Sequence, residues 1–412
     1  MRSVAVMSNE TRPARQDEAD AYERATYHGF HVAAVDERDV VARAAQFRPG
    51  RWQGAFDAGR IVATVRTMPL STTMVGGGEL TSCGVTSVTT RSTHRRRGLM
   101  QQLLVAALRD GRERGEPLTT LIAAEWPIYG RFGYGPATEH GTVEITTSAA
   151  RWLTQGEGEV EQVDLDELVA EARPAYDAHR RRSPSELERD DFVWSSYLRG
   201  LPSEPWKGFQ ALCRDDAGAV SGFVQYKIDS TFDGRRPAGV VTVDILIGAS
   251  PAVEARLWRY VCEIDWARKV VARNRRVTEL LPHWLADGRA AIQTERADFL
   301  WARPLDVAAC LAGRTYAAPL DTTIEVVDPL GLSDGRWRVQ ADGGGSPATV
   351  TAATGPTDLT VPVATVGAVL FGSVSWWVLH ATGGVDEHSA GAVAAAEAAF
   401  HSAVVPWSAS WF

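Results

Sequence analysis

Apolar positions along the chain change their spacing several times, and each change marks an element. Ile61-Val62-Ala63-Thr64-Val65-Arg66-Thr67-Met68 is rich in β-branched residues and predicts a strand after the turn Asp57-Ala58-Gly59-Arg60. Asp17 to His28 predicts a helix before it. Gly76-Gly77-Gly78 breaks the chain ahead of a second strand that reaches Val85–Thr90. There the period switches. Leu99, Leu103, Leu104 and Leu108 recur at helical spacing, which gives one apolar helix face as far as about Gly115. Leu118 to Ala124 reads as a buried strand. Residues 1–150 are therefore α/β.

The same plan returns faintly over residues 151–302. Gly222–Ile228 and Gly239–Gly248 read as strands, and Pro251 opens a helix running to about Arg273, with proline at its permitted first position. The turn before this helix, Ala249-Ser250-Pro251, has no arginines, and proline removes an amide. This is a degenerate copy that no longer binds the ligand of the first. Residues 303–412 differ again. Thr322–Val327, Gly335–Gln340 and Ala348–Ala352 predict a meander of strands. Val363–Leu370 and Ala390–Ser402 predict helices, so this third unit is α+β. Three domains suit a chain of 412 residues.

Composition narrows the function classes. The net charge of −8 argues against nucleic acid as the main partner and mildly favours cationic substrates. No run approaches a membrane span, and Met1–Ser8 lacks the apolar core of a signal peptide. The four cysteines are far apart with no Cys-x-x-Cys pair, which suggests a reducing cytoplasm; secretion without a signal peptide stays open. The nine histidines show no metal-ligand spacing, so no metal is expected. A Gly-x-Ser-x-Gly elbow and a nucleotide-triphosphate loop are both missing.

The chemistry concentrates where the first strand–helix switch occurs, at Val88-Thr89-Thr90-Arg91-Ser92-Thr93-His94-Arg95-Arg96-Arg97-Gly98-Leu99-Met100. A basic, glycine-bearing helix N-terminus is suited to a phosphate or pyrophosphate. The other reading of the arginines, a solvated or nucleic-acid-binding face, sits poorly with 51 Asp+Glu against 43 Lys+Arg. Arg95-x-x-Gly98-x-Met100 resembles the acetyl-CoA-binding motif of GNAT-fold N-acetyltransferases, Arg/Gln-x-x-Gly-x-Gly/Ala. Met100 departs from the small residue usual at the last position. Further on, Glu125 to Pro136 is a loop by its glycines and prolines, yet it carries four aromatics, as a pocket wall or lid does.

Thr93-His94-Arg95-Arg96-Arg97-Gly98-Leu99 and Ile128-Tyr129-Gly130-Arg131-Phe132-Gly133-Tyr134-Gly135-Pro136-Ala137 together resemble the enhanced intracellular survival (Eis) family of actinobacterial N-acetyltransferases. Length, domain order and an aromatic last residue extend the resemblance over the whole chain. It implies tandem GNAT-like domains, then a sterol-carrier-protein-like domain, assembled as a homohexamer of two trimers. It implies acetyl-CoA as co-substrate and direct transfer to an amine in a ternary complex. By this resemblance Val88, Thr89 and Thr90 offer their strand backbone to the cofactor, and Arg96, Arg97, Gly98, Leu99, Met100 and Gln101 hold its pyrophosphate. Ala124 and Glu125 add further contacts. Tyr129 is implied as general acid, and the α-carboxylate of Phe412 as general base.

The residues themselves leave alternatives. Val88–Thr90 can be plain core strand, and a loop tyrosine is commonly packing; Tyr134 is assigned to structure. A chain end is normally frayed. However, Val404 to Phe412 is almost uncharged and holds three aromatics. Many family members have an acidic residue before the last one, where this chain has Trp411, which weakens acidic recognition of polyamines. His28, His31, Trp52 and Phe56 are weaker pocket candidates, and Trp376-Trp377 is core or an apolar groove. Cys83 has no basic partner in sequence, so a covalent relay is not suggested. The substrate classes are aminoglycosides, polyamines and lysine side chains. The reading from another class is a non-catalytic acyl-CoA-binding or lipid-carrier protein, which would not need Tyr129 or the apolar tail.

Overall fold

A tight turn at Ala58-Gly59, both with positive φ (47° and 79°), sets the first hairpin. In the computed structural model, which describes residues 9–412, this hairpin belongs to a seven-stranded sheet. Its order is β1 (Glu10–Pro13), β2 (Trp52–Asp57), β3 (Arg60–Thr73), β4 (Glu79–Thr90), β5 (Leu118–Ile122), then Leu300–Pro304 and Gly135–Pro136. The expectation for Met1–Ser8 lies outside the described residues.

Alternation along β2 decides which helix covers which face. Trp52 and Phe56 pack with Tyr22 and Ala25 of helix α1 (Ala19–Gly29). Helix α2 (Glu37–Ala44) is capped by Asp36, whose carboxylate accepts from the Arg38 amide at 2.8 Å. Ala55 faces the other way, into a cluster with helix α3 (Leu99–Glu113). The four leucines of the helical repeat are all buried there, each contributing roughly 1.5–3 kcal/mol of burial free energy.

The chain then exchanges strands between two sheets. Glu139–Thr146 lies in a second seven-stranded sheet, between Ala291–Asp298 and Ala267–Arg275. Leu300–Pro304 returns to the first sheet and runs antiparallel to β5, from Leu300↔Ile122 to Pro304↔Leu118.

The second sheet holds Gly239–Gly248 as the spacing predicts, but one expectation fails beside it. The helix from Pro251 stops at Cys262 and does not reach Arg273. Ala267–Arg275 is a strand instead, paired in parallel with Gly239–Gly248. Val270 and Ala272 alternate into the core. Lys269-Val270-Val271-Ala272 is short and rich in β-branched residues, so the available sheet edge decides its conformation.

The third sheet runs Thr315–Tyr316, Ser346–Ala352, Gly335–Ala341, Leu320–Val327, Leu359–Pro362, Asp386–Glu387. Its first part is the expected meander, and the helices Val363–Val369 and Ala392–Phe400 cover it. The additional helix Trp376–Ala381 begins with both tryptophans and gives them different surroundings. Trp376 packs edge-on against Phe400 at 5.0 Å and is core, whereas Trp377 is exposed. Arg303 joins this domain to the first sheet. Its fully buried guanidinium meets Asp328 at 2.6 Å and the Phe132 carbonyl at 2.6 Å. A buried pair satisfied on both sides resists separation, because parting the domains would strand two charges. No helix among the described residues is long and apolar enough to cross a membrane.

Candidate active site

β4 and β5 begin together and then part. They pair in parallel at Ser82↔Leu118, Cys83↔Thr119 and Gly84↔Thr120, and no further, although both strands continue. From Val85 onward the β4 edge is therefore free on that side. A bulge sharpens the split. Ser87 and Val88 oppose the single residue Val65, between Thr64↔Thr89 and Arg66↔Thr86, and Ser87 has φ 54°. A bulge leaves its extra residue out of the ladder and re-aims the backbone. The Thr64 hydroxyl secures it by donating to the Ser87 carbonyl at 2.8 Å.

The arginine loop follows at the end of β4. Arg96 and Gly98 both have positive φ (63° and 75°), and Gly98 is the N-cap of α3 without any side-chain cap. A Cβ at Gly98 would meet nothing closer than the Gln102 side chain at 3.9 Å, so the helix start is open. The first amides of the 15-residue α3 are thus available to an anion, with the helix dipole behind them. Arg95, Arg96, Arg97 and Gln101 are exposed around this start. Leu99 is core, and Met100 packs against the same cluster, so only their backbones can serve a ligand. His94 fixes the loop to the β2–β3 turn through Asp57 at 2.9 Å.

A cavity of about 530 Å³ opens into the strand split. Val88, Ala124, Tyr129 and Phe412, predicted from distant parts of the sequence, all line it, as does Trp52. Thr89 turns its side chain inward to Thr64 at 2.7 Å and is buried, which leaves its backbone as the usable part. Thr90 continues β4 beyond the cavity wall, and Glu125 is exposed just outside it, at the N-cap of the short helix α4 (Trp126–Tyr129). His28 and His31 are exposed and do not line the cavity. Phe56 lies under the Arg12 guanidinium at 3.7 Å, also away from it.

Tyr129 is buried, with its ring edge-on to Tyr134 at 6.1 Å. Burial, helped by the charge of Glu125, pushes its hydroxyl up to about 12. Cys83 is buried in β4, and burial pushes its thiol up to about 12, so it is held as an unreactive thiol. Among the described residues no group of three or more His, Cys, Asp or Glu is placed to hold a metal ion.

Several cavity residues had no signal in the sequence. Glu23 of α1 is fully buried and ion-pairs with Arg66 at 3.0 Å, while its second oxygen has no partner. Burial pushes its carboxyl above the usual range, against the pull of Arg66 and Arg43. Arg43 lies over Tyr27 at 5.6 Å. Arg48 pairs with Asp190, which arrives from the second domain together with Phe192 and Tyr197. An acidic residue at helical spacing from an apolar face reads as solvated, and only tertiary contact shows otherwise.

A splayed parallel strand pair, a basic helix start beside it and a buried tyrosine across the split define an acyl-CoA-dependent acetyltransferase of the GNAT fold. Sequence models of the acetyltransferase (GNAT) domain match residues 10–137 and 186–304, and a sterol carrier protein domain model matches 307–409. An uncharacterized N-acetyltransferase of Streptomyces avermitilis is 37% identical, over 98% of this chain and 98% of its own. N-acetyltransferase Eis of Mycobacterium tuberculosis is 30% identical, over 69% of this chain and 72% of its own. The crystal structure of Eis1 from Mycobacterium abscessus matches with a TM-score of 0.85 at 26% identity, over 98% of this chain and 100% of that one. The chain belongs to the Eis family of N-acetyltransferases.

Proposed function

We propose that the enzyme moves the acetyl group of acetyl-CoA directly to a primary amine, with Tyr129 as acid and the Phe412 carboxylate as base. One observation carries this reading: Tyr129 of the first domain and Phe412 at the end of the sequence wall one cavity at the strand split. The open helix start at Gly98–Gln101, with Arg96 and Arg97, would hold the pyrophosphate, and the free edge Val88–Thr90 with Ala124 and Glu125 the pantetheine arm. Acetyl-CoA, when bound, supplies the activated acetyl thioester. The Phe412 carboxylate takes a proton from the incoming ammonium, and Tyr129 gives one to the departing sulfur.

The walls bear on which amine is taken. Arg43, Arg48 and Arg66 offset Glu23, Asp190 and the terminal carboxylate, and Tyr27, Phe30, Trp52, Phe192 and Trp411 supply aromatic surface. A cavity balanced in charge gives no excess attraction to an aminoglycoside or polyamine. We therefore favour a single amine on an aromatic or apolar body. The test is acetyl-CoA turnover across aryl-alkylamines, polyamines, aminoglycosides and lysine peptides, with Gly98→Asp as control. Aryl-alkylamines should give the highest kcat/KM. Gly98→Asp should lose acetyl-CoA binding by calorimetry while staying folded, because it puts a charge and a side chain where backbone must meet phosphate. Turnover best with polycations would overturn the preference, and full activity of Gly98→Asp would overturn the cofactor site.

By the family resemblance we further propose a homohexamer built from two trimers. Phe232 and Trp266 pack edge-on at 5.7 Å yet both are exposed, as are Trp377 and Val378. Apolar surface of this kind is what subunit contact removes from water. Light scattering should give a mass of six chains, and a monomer at micromolar concentration would refute the assembly.

A further inference from the structure

The second domain repeats the strand split of the first. Gly239–Gly248 and Ala267–Arg275 pair in parallel from Gly239↔Ala267 to Val243↔Ala272 and then diverge. In the first domain the split holds a cavity of about 530 Å³; here a crevice of about 10 Å³ is left. The chain's own tail fills the rest. Trp407 and Ala409 line the crevice with Val243–Leu246 and Arg273–Arg275. The Trp407 indole N–H donates to the Asn274 carbonyl at 2.9 Å, and Arg275 lies over its ring at 4.6 Å. The neighbouring helix start is occupied as well. Ser250 caps it, and Glu254 of its first turn pairs with Arg275 and Arg276 at 2.5 and 2.7 Å.

Next to Trp407 the tail enters a buried polar seat. Glu186 Oε2 accepts the Ala409 N–H at 2.6 Å, and Oε1 accepts the Ser410 hydroxyl at 2.7 Å and the Ser408 hydroxyl at 3.1 Å. Arg189 donates through Nε to Ser410 Oγ at 3.0 Å and through Nη2 to the Ala409 carbonyl at 3.1 Å. The Tyr197 hydroxyl donates to that same carbonyl at 2.5 Å. Glu186 and Arg189 are both buried, and Ser410 Oγ stands between their charges. With the tail unseated, both charges would lose these partners inside the protein, which strongly favours the seated state. Phe412 lies two residues on. Its ring rests on Gly84, the last β4 residue paired with β5; a Cβ there would come within 3.0 Å of the ring.

We infer that the second domain holds the C-terminal tail as an internal ligand in its strand split, and that Glu186 and Arg189 are positioning residues setting the Phe412 carboxylate in the first domain's cavity. Two residues of chain reach about 7 Å, so a seat at Ser410 confines the carboxylate to that tether. The catalytic consequence rests on Phe412 being the base; the clamp itself does not.

The test uses full-length Glu186→Gln and Ser410→Ala, the second being the milder change should the first fail to fold. Carboxypeptidase A release of Phe412, followed by mass spectrometry, should be about tenfold faster or more in each, since each leaves a buried polar group unpaired. Turnover should fall roughly 10²-fold in Glu186→Gln, the effect of a small misplacement of a reacting group. Acetyl-CoA affinity should not change. Combined with deletion of Phe412, Glu186→Gln should lower turnover no further than the deletion alone, whereas a residue of merely structural importance would add its own loss. Parent-like Phe412 release in folded variants would overturn the clamp. Faster release with a Phe412 deletion that remains active would keep the clamp and overturn Phe412 as base.

Discussion

Extending the chain beyond Phe412 by a few residues is expected to collapse turnover, by roughly 10²-fold to 10⁴-fold, the range for loss of general base catalysis. The extension converts the terminal carboxylate into an amide, which cannot accept a proton. It also pushes the new terminus out of the cavity that Phe412 lines. Trp407 to Ser410 stay in their buried seat, so the melting temperature and acetyl-CoA affinity should hold. Deleting Trp411 and Phe412 should lower turnover as well, for a different reason: it leaves no carboxylate in the cavity and puts the new one at Ser410, in the buried seat beside Glu186, where it also costs stability. The measurement is steady-state turnover beside a thermal melt and calorimetry. Full activity in the extended enzyme would move the base to Glu23, which lines the same cavity and has one oxygen without a partner.

Tyr129→Phe should cost roughly 10²-fold or more in turnover, with acetyl-CoA affinity unchanged. The ring stays edge-on to Tyr134, so the packing around it survives and only the proton is lost. The pH profile of the parent adds a second check. Burial has pushed this hydroxyl up to about 12, above tyrosine's usual value of about 10. The protonated form is the working form of an acid, so a raised value extends activity upward in pH. Turnover should not decline through loss of this proton until the pH nears 12. A mutant as fast as the parent would remove Tyr129 from the mechanism.

How far the sequence reveals this architecture depends on the range of the interactions that set each part. The α3 face, read from Leu99, Leu103, Leu104 and Leu108, is a local periodicity and is found where the spacing puts it. Gly98 is legible for a similar reason, because a left-handed helix cap calls for glycine. Lys269–Ala272 misleads because its pattern suits helix or strand, and the choice belongs to the partner edge of Gly239–Gly248. Glu23, Arg43 and Asp190 escape notice for another reason. Nothing local distinguishes a charged residue on a solvated helix face from one that turns into a cavity. Trp407–Ser410 falls between these cases. The uncharged, aromatic-rich composition of Val404–Phe412 around it signals burial, but its partners Glu186 and Arg189 are fixed only by the fold.

The strand exchange has a consequence for biosynthesis. β5 is the strand beside the split with β4, and its outer edge pairs with Leu300–Pro304. During translation that partner is made only long after Ile122. At about 5–20 residues per second, the interval is on the order of ten seconds or more. For all of that time the apolar strand Leu118–Ile122 has no native neighbour on that side. The first domain of a nascent chain is thus an open sheet with an unpaired, pairing-competent edge until residue 304 has emerged.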